Sequence, residues 1–474
     1  MDSWRTYLGK AAQNTGDVIL KPKLYDWQEA ALTKWNHRSD QGRAIAAVTG
    51  AGKTRLAMEV MQGHFDEWVD WPMQHAMVTI VVPRKALMIQ WREDLIEWGI
   101  DASQIGRLGG GSIKGWPNKH TTTINITTFA SLSKKRPAWI PYEDQDGFDK
   151  MRHLVVVDEC HNLRGAQMRN ALASHICPRD ATLGLSATPH PTEEASRIIT
   201  NLIGEIGFTY RYAQALADGV IPPFRLNLVK LPIEEQELND IENMTLKINR
   251  IMRDMYNADR IEGARMKAIA QNFGTQRKRI INRVRSRTHM AIRVLNRHQD
   301  RPTLVFHEST EDVDRLAQMT PHLNPAVYHS KASKGDAALQ AFKDEETDHL
   351  YSCLSLTEGF NVPRVRIAIM MSGPNAPLRR IQTLGRCLRG KGNAPNEIYL
   401  FYVNHKKDLE GVQNLIESAD IPPQIITNYQ MEDDWMVEIP MIKMQKAYDA
   451  TGREEELLAT LENMTFDEFM SGFN

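Results

Sequence analysis

The stretch Ala47-Val-Thr-Gly-Ala-Gly-Lys-Thr54 limits the possible folds more than any other part of this chain. An apolar run over 44–49 leads into it, and a helix-period pattern over 55–62 leads out. Gly50 and Gly52 let the backbone curl so that its N–H groups face anionic oxygens, and Thr49 and Ala51 complete the loop. The helix that follows adds the partial positive charge of its N-terminus. A strand, a glycine loop and a helix ending the loop in Lys-Thr form a phosphate-binding loop. Lys53 is expected to reach the β- and γ-phosphates of ATP, and Thr54 to ligate Mg²⁺.

A second signal is Leu154-Val-Val-Val-Asp-Glu-Cys-His161. An apolar strand ends in paired carboxylates, at the sheet edge where open α/β folds bind ligands. Asp158 is expected to hold Mg²⁺ and Glu159 to polarise the attacking water.

Short apolar runs alternate with helix-period segments in two regions, 24–231 and 302–404. The expected strands are 44–49, 77–83, 122–127, 153–158 and 181–186 in the first. In the second they are 303–307, 326–329, 350–355, 366–371 and 397–403. Such alternation, with runs apolar on both faces, points to parallel sheets covered by helices. Between the regions, 234–299 reads as helix, with few Pro or Gly and many good helix formers.

Further segments identify the family. Val157-Asp-Glu-Cys-His161 resembles motif II of the superfamily 2 DEAD/DEAH-type helicases, and Gly184-Leu-Ser-Ala-Thr-Pro189 their motif III. Cys353 to Pro363, with Gly359 and Asn361, resembles motif V, and Gln382-Thr-Leu-Gly-Arg-Cys-Leu-Arg389 resembles motif VI. Thr303-Leu-Val-Phe-His307 is similar to motif IV, Val81-Val-Pro-Arg-Lys-Ala-Leu87 with Gln90-Trp91 to motif Ia, and Ile126-Thr-Thr-Phe-Ala-Ser-Leu132 to motif Ib. The nearest branch is that of XPB-like repair helicases, type III restriction ATPase subunits and the phage UvsW recombination helicase.

The resemblance implies an α/β fold of two RecA-like parallel-sheet domains in tandem, with a helical insertion between them and a small helical C-terminal module. The expected boundaries are 1–231, 232–300, 301–410 and 411–474. It implies an ATP-dependent, Mg²⁺-dependent DNA helicase or translocase acting in repair, recombination or replication, moving 3′ to 5′. An RNA helicase and the ATPase subunit of a restriction or defence complex are the alternatives. Gln382, Arg386 and Arg389 would act on the γ-phosphate from the second domain, and Gly359 and Asn361 would contact the nucleotide. Asn361 departs from the Asp common at that place and brings no charge. Tyr25 and Gln28 stand where the family reads adenine; the alternative for Gln28 is a helix-surface amide. His161, Ser186 and Thr188 would pass the γ-phosphate state to the polymer face, or Ser186 and Thr188 are small residues of a strand end. Pro83, Arg84, Gln90, Thr127, Thr128 and His307 would contact nucleic acid. Gly110, within Gly109-Gly-Gly111, would approach its backbone or form a plain turn.

Charge is segregated although the net formal charge is only -1. Residues 241–301 hold 15 Lys and Arg against five Asp and Glu, whereas 411–474 hold three against 13. Arg279, Arg283 and Arg287 recur every four residues and would form a phosphate-tracking stripe on one helix, or a solvated charged face. The acidic tail carries enough apolar residues to argue against disorder and is expected to be an accessory module that packs, docks or binds a partner. Cys160, Cys177, Cys353 and Cys387 form no CxxC pair, so reduced, buried thiols are expected. No secretory signal is evident at the start, and no apolar run reaches the ~20 residues that span a bilayer. A cytoplasmic protein of bacterial or phage origin is the expectation.

Overall fold

The computed structural model describes residues 23–37, 42–66, 75–109, 124–132, 151–163, 166–173, 181–187, 193–257, 259–333, 335–353, 364–372, 395–419, 421, 423–433 and 435–439. Gly110, Thr188, Gly359, Asn361, Gln382, Arg386 and Arg389 lie outside them, as do Cys177, Cys387 and the tail beyond 439.

Two sheets form. The first contains β1 (Gly42–Ala47), β2 (His75–Val82), β3 (Ile105–Leu108), β4 (Ile124–Thr128), β5 (Met151–Asp158), β6 (Ala181–Ser186) and β7 (Ile206–Tyr210). Its order is β3-β4-β2-β5-β6-β1-β7, with every neighbouring pair parallel. The second contains β8 (Phe224–Leu231), β9 (Thr303–His307), β10 (Ala326–Tyr328), β11 (His349–Cys353), β12 (Ile367–Met370), β13 (Asn396–Val403), β14 (Ile426–Met431) and β15 (Met436–Glu438). Its order is β10-β11-β9-β12-β13-β8-β14-β15, parallel except for the last pair. Parallel strands need covered faces, and the apolar runs supply them: every residue of β4, β9, β11 and β12 is buried.

Two features depart from the sequence reading. β8 falls before the expected boundary at 231, yet it pairs with β13 over its whole length and with β14. The helical segment therefore leaves and re-enters the same sheet, through β8 and β9. Chain proximity to the first sheet hid this, because strand partners are set by sheet contacts and not by sequence distance. The segment after 410 is also not all helix. Helix Lys406–Ala419 is followed by β14 and β15, which extend the second sheet. The alternating buried and half-buried residues of Ile426-Thr-Asn-Tyr, with β-branched and aromatic side chains, are the strand signal that the acidic composition masked.

Within the helical segment, helices Glu235–Asp254 and Arg260–Asn282 pack on each other around Ile251, Met266, Ala270 and Phe273. Asp259 caps the second helix by accepting from the N–H groups of Ile261 and Glu262. That helix stops at Asn282, and a new one runs over Arg285–Arg297. Among the described residues no helix is long and apolar enough to cross a membrane. Cys160 and Cys353 are free thiols, both buried.

Arg287 fastens the last of these helices to the second sheet. It is 1% exposed and ion-paired with the equally buried Asp408. Its Nη1 donates to the carbonyls of Met371 (2.7 Å) and Phe401 (2.9 Å), and its Nε to that of Ile281 (3.0 Å). A guanidinium with this many fixed acceptors is a core element. Arg287→Ala leaves Asp408 buried without its countercharge, so a loss of about 3–5 kcal/mol is expected. Denaturant unfolding of the full chain followed by circular dichroism checks this; a midpoint equal to wild type would contradict it.

Candidate nucleotide site and polymer-facing edge

β1 delivers the phosphate loop to the C-terminal edge of the first sheet. Gly50 and Gly52 have φ of 89° and 95°, the left-handed region that glycine enters without cost. A Cβ on Gly52 would stand 2.9 Å from Gln28 Nε2, so a side chain there would displace the Gln28 amide. Helix Lys53–Asp66 begins directly after the loop. Lys53 Nζ donates to the carbonyls of Ala47 (2.9 Å) and Val48 (3.3 Å), which holds the ammonium over the loop. Thr49 Oγ1 is buried without a hydrogen-bond partner among the described residues. A buried, unmatched hydroxyl, a lysine and backbone amides around one curl fit a polyphosphate.

Gln28 is 1% exposed, not a helix-surface amide. Its Oε1 accepts from the Tyr25 N–H and its Nε2 donates to the Gly52 carbonyl, both at 2.9 Å. One amide hydrogen and one oxygen lone pair remain for a base edge. The helix bearing it, Asp26–Asn36, is anchored by Trp27, whose ring stacks on Tyr210 with centroids 4.8 Å apart and planes 10° apart. Tyr25 itself is half exposed.

β5 runs between β2 and β6 and ends at Asp158, level with Leu185. Asp158 Oδ1 accepts from the Glu159 N–H (2.9 Å), and Oδ2 accepts from Trp91 Nε1 (2.8 Å). Burial, reinforced by the adjacent Glu159 charge, pushes its pKa up to about 6. Glu159 has φ of 49°, a left-handed conformation that costs an ordinary side chain about 1–2 kcal/mol. That strain turns the chain sharply into the short Cys160–Asn162 turn and parts the two carboxylates. Glu159 Oε2 lies 3.4 Å from His161 Nδ1, which hydrogen-bonds Ser186 Oγ at 3.0 Å. A buried polar chain thus crosses from the end of β5 to the end of β6. Mg²⁺ is usually held by one or two carboxylates together with phosphate oxygens and water. Thr54, in the first turn after the loop, and Asp158 fit that donor set.

Trp91, part of the motif Ia resemblance, had no expected role at the nucleotide site, yet it bonds Asp158. The signal was an indole at a core position of an amphipathic helix, because a buried indole N–H must find an acceptor. Its acceptor was not readable, since Asp158 lies 67 residues away.

The strand ends of β2, β3 and β4 are neighbours and form the candidate polymer edge. Arg84 is exposed there, Pro83 and Gln90 are half-buried, and Arg84 leads into helix Lys85–Glu97. Gly109 has φ of 138°, and a Cβ on it would lie 2.8 Å from Ser131 Oγ. Thr128 Oγ1 bonds Ser131 Oγ at 2.9 Å and accepts from the Ser131 N–H.

Four expected nucleic-acid contacts are placed otherwise. Thr127 is fully buried, with its hydroxyl directed at the Thr128 carbonyl. His307 is buried; its Nε2–H donates to the Asn282 carbonyl and its Nδ1 accepts from the Ser309 N–H. Burial holds that imidazole below its ordinary pKa, consistent with the neutral tautomer those bonds require. Arg287 is the core residue described above. Arg283 is engaged by Glu311 (2.6 Å) and Asp312 (2.8 Å). The stripe of 279, 283 and 287 does not form, because the helix ends at Asn282; of the three, Arg279 is exposed on it.

Residues 21–191 match the family model of the type III restriction enzyme res subunit, and residues 286–391 that of the helicase conserved C-terminal domain. The DNA 3'-5' translocase XPB2 of Sulfurisphaera tokodaii is 23% identical over 387 residues, covering 78% of this chain and 80% of that relative. The type I restriction enzyme EcoAI endonuclease subunit of Escherichia coli is 22% identical over 320 residues, covering 64% of this chain and 34% of that protein. The structure of S. cerevisiae Dbp5 bound to RNA and ADP BeF3 matches with a TM-score of 0.55 at 12% identity, covering 86% of this chain and 90% of that one. The ATP-dependent type ISP restriction-modification enzyme LlaBIII bound to DNA matches with a TM-score of 0.56 at 14% identity, covering 95% of this chain and 34% of that one. These two structural likenesses concern the fold, tandem RecA-like domains. The chain belongs to the superfamily 2 helicases, in the branch of XPB-like and restriction-ATPase motors, and it is a nucleic-acid-dependent ATPase.

Proposed function

We propose that this chain is an ATP-driven DNA translocase or helicase serving repair, recombination or replication. The observation that carries the reading is that the phosphate loop and the polar ends of β5 and β6 lie on one edge of the first sheet. Lys53, Asp158, Glu159, His161 and Ser186 stand on adjacent ends of β1, β5 and β6. The edge with Pro83, Arg84, Gly109 and Thr128 belongs to the same sheet. The match to an archaeal DNA translocase over most of both chains supports DNA as the track.

In this reading Gln28 and Tyr25 take the base, and the loop amides and Lys53 take the phosphates. Thr54 and Asp158 would hold Mg²⁺, which would supply charge neutralisation for the bound polyphosphate. Glu159 orients and deprotonates the attacking water. Gln382, Arg386 and Arg389 act on the γ-phosphate from the second unit, and Gly359 and Asn361 contact the nucleotide. Hydrolysis then reports on closure of the two units. Ser186 and Thr188 with His161 relay the γ-phosphate state toward the polymer edge, where Arg84, Gly110 and Thr128 meet the DNA backbone. Arg279 adds a phosphate contact, and the acidic C-terminal segment, 411–474, meets a protein partner. A second reading, the motor subunit of a restriction complex, is favoured by the res-subunit match over 21–191.

Steady-state ATP turnover, measured without polymer and with single-stranded, duplex or branched DNA or RNA, tests the proposal. Stimulation by DNA is expected. It should vanish in Lys53→Ala and fall about 100-fold or more in Glu159→Gln, the lower range for loss of a general base. Stimulation by RNA alone would overturn the DNA reading, and normal turnover in Glu159→Gln would remove its role. Ser186→Ala should lower polymer-stimulated turnover more than polymer-free turnover, by about fivefold, equivalent to one net hydrogen bond of ~1 kcal/mol. Equal reduction of both rates would contradict the relay.

A further inference from the structure

Trp91 sits at the end of the second turn of helix Lys85–Glu97, on the buried face it shares with Leu87, Met88 and Leu95. Its ring is 2% exposed, and its single donor points at Asp158 Oδ2 across 2.8 Å. An indole N–H only donates, so this bond has one sense. The other oxygen, Oδ1, is held by the Glu159 N–H. One donor on each oxygen fixes the plane of the carboxylate while leaving each oxygen a further lone pair for a cation. Partners of this kind, bonded to a ligand and not to the ion, set the orientation and basicity of metal-binding groups.

We infer that Trp91 is a positioning residue that holds Asp158 in the orientation required to bind Mg²⁺ with ATP. The inference rests on the proposed roles of Thr54 and Asp158 at the nucleotide site. It adds a structural link as well. The helix carrying Trp91 begins just past Pro83 and Arg84, at the candidate polymer edge, so a shift of that helix along its axis moves the donor on the metal-binding carboxylate.

The test uses the full chain with two replacements at position 91. Trp91→Phe removes the donor and part of the ring. Site-specific incorporation of 3-benzothienylalanine keeps the bicyclic shape and exchanges only the N–H for sulfur, so folding is preserved if the phenylalanine variant fails to fold. The probe is a fluorescent ATP analogue, whose affinity is measured in Mg²⁺ and in EDTA. For wild type, Mg²⁺ should tighten binding. Both replacements should reduce that tightening about tenfold, at the lower end of what loss of such a partner costs, while binding in EDTA stays unchanged. The Mg²⁺ concentration giving half-maximal ATP turnover should rise by a similar factor. An unchanged Mg²⁺ effect in the benzothienylalanine protein overturns the role of Trp91 and leaves the nucleotide site standing. Wild-type binding that ignores Mg²⁺ overturns both the role and the metal assignment it rests on. Equal weakening in Mg²⁺ and EDTA means a packing role only, and also overturns it.

Discussion

The parallel ladder that pairs Ala46 with Ser186, and Asp158 with Leu185, sets the depth at which three strands end. That register decides whether loop, carboxylates and hydroxyl meet. Strand partners one residue out of step would turn every side chain to the opposite face. Small residues hold the register. A Cβ on Gly184 would come within 3.1 Å of the Ala44 Cβ and 3.0 Å of Ile203, so a side chain there would push on both neighbours. Trp35 adds a tie by donating to the Thr182 carbonyl from the same helix that places Gln28 on the loop. Burial at those strand ends then raises the energy of the ionised Asp158, which the Trp91 donor and the nearby Lys53 charge partly offset.

Local signals were legible and distant ones were not. The phosphate loop, the strand ending in Asp158 and Glu159, and the strand ending in Ser186 each need only a few consecutive residues to be recognised, and β6 and β9 begin and end where the apolar runs do. β8 has comparable alternation, but nothing within it names β13 as its partner. Charge was the least reliable guide. Arg287 looked like part of a basic face, and its partner Asp408 lies 121 residues on. His307 looked like a polymer contact because it ends a motif, yet its ring nitrogens are spent on Asn282 and Ser309. A residue's type gives its possible chemistry, whereas its burial decides whether that chemistry faces a ligand.

Placing the helical segment between β8 and β9 changes its mechanical meaning. A segment joining two sheets would act as a hinge between them. This one is anchored to the second sheet at both ends. At its exit Arg287 bonds the carbonyls of Met371 and Phe401, and His307 of β9 bonds the last residue of helix Arg260–Asn282. Ser372, which directly follows Met371, accepts from the Glu308 N–H, tightening the same junction. The segment therefore belongs with the second sheet as one packed body at its base. In the motor reading, any force on its basic residues is delivered to that sheet.

In the proposed motor, ATP turnover at Lys53 and Glu159 drives movement on DNA. Its most direct measurement is ATP-dependent displacement of a triplex-forming oligonucleotide from duplex DNA, with the strand placed ahead of or behind a single loading site. Displacement is expected to require ATP, to depend on the side of loading and to be lost in Glu159→Gln. Displacement that proceeds without ATP, or ATP turnover stimulated by DNA with no displacement from either side of either duplex or single-stranded tracks, would contradict it.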